Sequence, residues 1–180
     1  MATSFRTKQR RRMARRSKRR AKLEYRFAIH EVGHYVAKSR LLPDISLNLT
    51  LKEVGKRKQF LGEVYNPEDP EKRDTMDVMI RVSIAGSIAE ARHVDKLHRA
   101  YDYLRDISAL KEDKVKFEHS KKYSAWPGPD VSELGDRECF EQFQSEILRM
   151  FDDYGWAEME KLAKQLVAER LIVIPASVLE

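Results

Sequence analysis

The chain has one cysteine, Cys139, in 180 residues, which rules out an internal disulfide and a thiolate metal cluster. That usage fits a reducing compartment, so a cytoplasmic location is expected. No apolar run approaches the roughly 20 residues a membrane-spanning helix needs, so no transmembrane segment is expected. A G-x-x-x-x-G-K-S/T phosphate loop is missing, so no ATP-driven unfolding is expected from this chain. Glycine and proline are sparse, 7 and 6 residues, and no internal repeat is visible; both point away from low-complexity or solenoid architectures and towards one globular domain.

Acidic residues are scarce in one place. Residues 1–26 hold 12 Lys and Arg against a single acid, Glu24, whereas residues 27–180 hold 23 against 28. Residues 1–24 read as a basic tail and residues 25–180 as the folded domain. Like-charge repulsion should leave the tail largely disordered on its own. Against a polyanion it can become helical, because neither Gly nor Pro interrupts it. Clustered cations bind nucleic acid through counterion release, which makes Arg10, Arg11, Arg12, Arg15, Arg16, Arg19 and Arg20 candidate contacts. An anionic membrane surface would attract the same charges, but no stripe of large apolar residues is present to insert. No aromatic interleaves the basic run, so base stacking is not indicated.

The expected fold is mainly α with a small β component (α+β). A helix is expected over residues 22–40, with Leu23, Phe27, Val36 and either Val32 or His34 near its inner side and Pro43 beyond its end. Ile45, Leu47, Leu49 and Leu51 alternate with polar residues, and residues 60–65 supply a second extended run across a connection containing Gly55, together a β-hairpin. Asp74 or Thr75 can cap a helix with apolar positions Met76, Met79, Ile80, Ser83, Ile84 and Ile88. In that helix Ala85, Gly86, Ser87 and Ala89 are small enough for another helix to approach closely. Residues 101–116 read as a polar helix, and Trp126-Pro127-Gly128-Pro129 as a loop. Phe140, Phe143, Ile147, Met150 and Phe151 form one helical stripe; Met159, Leu162, Leu166 and Val167 form another after Gly155, giving a C-terminal helical pair.

Within the first helix stands His30-Glu31-Val32-Gly33-His34, an H-E-x-x-H motif in the context that gives the pattern meaning. Positions i and i+4 lie one above the other on a helix, so both imidazoles can reach one metal ion. Glu31 projects beside them as a candidate general base. Two histidines leave zinc short of its ligand set, since catalytic zinc adds a third protein ligand and keeps one position for water. Glu90 is one candidate for that ligand or for a carboxylate that orients a histidine from behind, and Asp102 is a weaker one.

The run Ile29-His30-Glu31-Val32-Gly33-His34-Tyr35-Val36 resembles the peptidase domain of FtsH-type ATP-dependent zinc metalloproteases. Leu61-Gly62-Glu63-Val64 and Ile84-Ala85-Gly86-Ser87-Ile88-Ala89-Glu90 are similar, in the same order, to that family's strand and its A-G-R-x-A-E-E helix. The resemblance covers roughly residues 25–180. It implies a helical zinc-metallopeptidase domain with His30, His34 and Asp106 as ligands, Asp106 standing at the family's spacing from Ala85, and Glu31 as the base. Ser87 and Ala91 depart from the family pattern, as does Tyr103-Leu104-Arg105 ahead of Asp106.

Two functions are therefore carried forward. The first is a zinc-dependent metalloendopeptidase acting on unfolded or flexible proteins as a stand-alone chain, with zinc as cofactor, a protein or peptide as substrate, and either a homo-oligomer or a separate substrate-delivering partner. The second is an inactive peptidase-fold module that binds nucleic acid or protein through its basic tail. Residues 45–51 are a candidate edge for an extended substrate.

Overall fold

The computed structural model describes residues 2–54, 59–68, 75–106, 111–123 and 132–174, with the side chains of residues 2–11 and of Val54, Gln59, Leu61, Asp106 and Lys111 outside that description. The Gly55 connection, Asp74 and the Trp126-Pro127-Gly128-Pro129 loop also lie outside it. Helix α1 runs from Ala2 to Leu41, β1 from Leu47 to Val54, β2 from Gln59 to Tyr65 and α2 from Met76 to His93. A 3-10 turn at Leu97–Arg99 leads into α3, Ala100–Asp106, followed by α4, Lys111–Tyr123. The chain continues through α5, Asp136–Tyr154, and α6, Trp156–Glu169, to β3, Leu171–Ile174. The protein is mainly helical with one small sheet, as expected. No helix among the described residues is long and apolar enough to cross a membrane.

Helix α1 departs from expectation at its start. It begins at Ala2 rather than near Lys22, and residues 2–24, expected to be disordered on their own, continue it. The buried half supplies the reason: nucleating a helix is costly, but extending one adds a hydrogen bond per residue, and the basic segment contains good helix formers throughout. Residues 28–39 are all buried, whereas residues 12–19 are all exposed. Leu23, expected on the inner side, is 46% exposed. The transition is marked by contacts with the body. Arg20 pairs with Glu53 of β1 and lies over the Phe60 ring, Glu24 pairs with Arg170, and Arg26 pairs with Glu90 of α2.

Helix α2 packs along the buried half of α1. Thr75 caps it, its hydroxyl accepting from the Val78 N–H at 3.4 Å, and Asp77 sits in the first turn where the helix dipole favours an acid. Residues 83–91 are buried on every side. Gly33 makes this crossing possible: a Cβ there would lie 2.7 Å from Ala89 Cβ and 2.8 Å from the Ala85 carbonyl oxygen. The small residues expected to admit a neighbouring helix do so against α1.

The sheet has the order β2-β1-β3, antiparallel throughout, with Leu51 opposite Gly62 and Leu47 opposite Ile174. Strand β3 was not expected from the sequence. It follows a left-handed Arg170 that ends α6 (φ 69°), and it pairs with the far side of β1. Residues 45–51 therefore do not form an edge: β1 is the central strand, and β2 and β3 are terminal.

Of residues 101–116, expected as helical, 101–106 lie in α3 and 111–116 in α4, and residues 107–110 lie outside the described residues. In the C-terminal pair, α5 buries Cys139, Phe140, Phe143, Ile147 and Phe151, and α6 buries Met159, Leu162, Ala163 and Leu166. Gly155, at φ 94°, makes the turn between them. Met150 and Val167 flank the stripes half-buried. Burial pushes the Cys139 thiol up to about 11.

Candidate metal centre

His30 and His34 lie on the buried half of α1, one turn apart, and their rings meet edge to face with centroids 4.6 Å apart. The two Nε2 atoms are 2.9 Å from one another. Asp113, from α4, completes the group: its Oδ2 lies 3.0 Å from His30 Nε2 and 3.3 Å from His34 Nε2. Among the described residues, these three form the group whose ligand atoms converge on one point. Metal–ligand bonds of roughly 2.0–2.2 Å place tetrahedral zinc ligands about 3.3 Å apart, so the triangle fits zinc within a few tenths of an ångström.

Three further features fit the donor set to a metal. The His34 Nδ1–H donates to the Val82 carbonyl oxygen at 2.6 Å, and a carbonyl can only accept. That fixes the tautomer and leaves the Nε2 lone pair pointing at the convergence point. Gly86 of α2 keeps the space open, because a Cβ there would stand 2.5 Å from His30 Nε2 and 2.6 Å from His34 Nε2. Three lone-pair atoms this close repel one another unless a cation, whether proton or metal, lies among them.

Carboxylates dominate the surroundings. Glu90 Oε2 stands 3.7 Å from His30 Nδ1, too far for a hydrogen bond, so the contact is electrostatic and that buried nitrogen has no hydrogen-bond partner among the described residues. Arg26 pairs with the other oxygen of Glu90 and holds the carboxylate behind the ring. Burial alone would lower the His30 pKa, but the Asp113 and Glu90 carboxylates outweigh it and push it up to about 10. Asp113 is opposed by burial yet held well below the usual carboxylate range by the two imidazoles. Glu90 is likewise lowered, by His30 and Arg26 against burial. The rise at His30 reflects a pocket whose carboxylates favour positive charge on that ring.

Glu31 is near the converging triad but not one of its three ligand groups. It is buried, and its side chain lies against Gly62 of β2, where a Cβ would collide with it. Burial raises the Glu31 pKa, with the neighbouring histidines partly offsetting the rise. A carboxyl whose proton affinity is lifted towards neutrality suits a group that takes up and returns a proton.

The structure brings together His30, His34 and Glu31, with Glu90 behind His30. Asp106 is the last residue of α3, and its side chain is outside the described residues. Asp102 is occupied by Arg99 and Arg105. Sequence reasoning missed Asp113. A signal was present: Asp113, Phe117 and Ser120 share one face of α4 at i, i+4 and i+7, and Phe117 and Ser120 are buried. An acid on the core side of an otherwise polar helix calls for a charged partner inside. Of the basic candidates, Arg12, Arg15, Arg16 and Arg19 are exposed, Arg20 is turned to Glu53, and the side chains of Arg10 and Arg11 are outside the described residues.

No protein-family model, curated protein or solved structure matches the chain.

Proposed function

We propose that the chain is a zinc-dependent metalloendopeptidase that cleaves unfolded or flexible protein segments. The observation that carries this reading is the convergence of His30 Nε2, His34 Nε2 and Asp113 Oδ2 beside a buried Glu31. His30, His34 and Asp113 would hold the ion, Asp113 taking the place that the family resemblance assigns to Asp106. Bound there, zinc would supply a Lewis acid that polarises the scissile carbonyl and acidifies the attacking water.

The remaining work falls to the chain's own side chains. Glu31 takes the proton from water and returns it to the leaving amine, a role suited to its raised proton affinity. Arg26 fixes Glu90, which faces His30 Nδ1 and orients that ring, while the Val82 carbonyl orients His34. Strand β2 pairs with β1 on one side, so an extended peptide added along its other edge would run past Gly62 and the Glu31 carboxyl beneath it.

Cleavage of casein by the zinc-loaded chain, with and without chelator, tests the reading. Wild type should cleave and chelation should stop it. Asp113→Ala should be inactive while Asp106→Ala retains cleavage. A wild type that stays inert to casein and to short unstructured peptides after zinc resupply would remove the enzyme reading.

A further inference from the structure

The exposed half of α1 carries a feature that the peptidase reading does not use. Arg12, Arg15, Arg16 and Arg19 are exposed and spaced i, i+3, i+4, i+7, which places all four guanidinium groups on one face of the helix. Among the described residues, the last contacts with the body on this side are those of Arg20 with Glu53 and Phe60. From Arg19 back to Ala2 the helix extends about 27 Å at 1.5 Å per residue.

The geometry points to duplex DNA as the occupant of this arginine face, held by its phosphates without sequence readout. Four observations select it. An α-helix fits a major groove about 12 Å wide, and guanidinium groups bind phosphate oxygens in a bidentate fork. The segment has no aromatic residue between Arg6 and Lys22 on which unpaired bases could stack, which disfavours single strands. Met13 and Leu23 are the large apolar side chains exposed along the described part of this half, and two residues ten positions apart make no stripe for insertion into a bilayer. Residues 27–180 carry an excess of five acids and repel a polyanion, confining contact to the helix.

The inference is independent of the metal centre, since none of the four arginines touches it. Its test is fluorescence anisotropy of the full chain with a labelled 20-base-pair duplex across a salt series. The wild type should bind with an affinity that falls steeply with salt. Arg12→Ala, Arg15→Ala, Arg16→Ala and Arg19→Ala combined should weaken binding on the order of 100-fold near 100 mM salt and flatten the log–log salt slope by about 3 to 4. Alanine preserves helix propensity, and far-UV circular dichroism checks that the helix remains. Lys161→Ala with Lys164→Ala, on the exposed side of α6, should leave binding unchanged. Undetectable duplex binding by wild type, equal affinity in the fourfold variant, or tighter binding to phosphatidylserine vesicles or single-stranded RNA would overturn it.

Discussion

Helix α1 holds two regions that share a backbone conformation and almost nothing else. From residue 12 to 19 every side chain is exposed, and the segment is dominated by arginine; from 28 to 39 every side chain is buried and two histidines and a glutamate are enclosed. Helix formation is therefore not what separates the two. Local propensity supports helix in both, while only the second half is surrounded by α2, α4 and the sheet. Burial sets the second half apart chemically, because in a low-dielectric pocket the neighbouring carboxylates act strongly on the His30 imidazole, whereas exposed charges on the first half are screened by solvent.

The same substitution at matched residues would show the contrast most strongly. Ala28 is fully buried and Ala14 exposed. Ala28→Arg is expected to cost more than about 4 kcal/mol, or to prevent folding, because it buries an unpaired charge. Ala14→Arg should move stability by less than about 0.5 kcal/mol. Urea denaturation followed by circular dichroism measures both, and similar midpoints would mean that the two halves share one environment.

Within the buried half, Glu31→Gln should lower casein cleavage by roughly 10²- to 10⁴-fold while zinc content stays at the wild-type level. Loss of zinc along with activity would make Glu31 a ligand rather than a base. Gly86→Ala sharpens the packing side of the comparison, since its Cβ would meet both Nε2 atoms. It should cost about 1–3 kcal/mol in urea and reduce zinc uptake; full zinc occupancy would show that the histidines do not converge beneath α2. A finer comparison lies at the boundary. Leu23→Ala, at a side chain 46% exposed, should cost under about 1 kcal/mol, against about 2–5 kcal/mol for Ile29→Ala at full burial. Equal losses would move the boundary towards the N-terminus.

Much of the architecture is written in local patterns. The period of Phe140, Phe143, Ile147 and Phe151, the alternation of Leu47, Leu49 and Leu51, and the glycine at 155 each have one plausible structural use, and the structure puts them to it. The histidine pair was legible for the same reason: its members are four residues apart and need no tertiary information. What was not legible depends on long-range partners. Strand β3 is four residues that acquire strand identity only by pairing with β1. Asp113 is one of several acids in the polar stretch 101–118, marked locally only by the face it shares with Phe117 and Ser120, and it takes the packing of Phe117 to turn that face inward. Arg20 looks like its arginine neighbours until Glu53 is brought beside it. The tail's helix escaped because its charge argues for repulsion, while the nucleus that extends it lies in the core.

The central claim is that His30, His34 and Asp113 bind one metal ion. Elemental analysis of zinc in purified wild type, His34→Ala, Asp113→Ala and Asp106→Ala protein, each loaded with zinc and desalted, tests it most directly. The account predicts one zinc per chain in wild type and Asp106→Ala, and little in the other two. Zinc-free wild type, or zinc retained by Asp113→Ala and lost from Asp106→Ala, would contradict it.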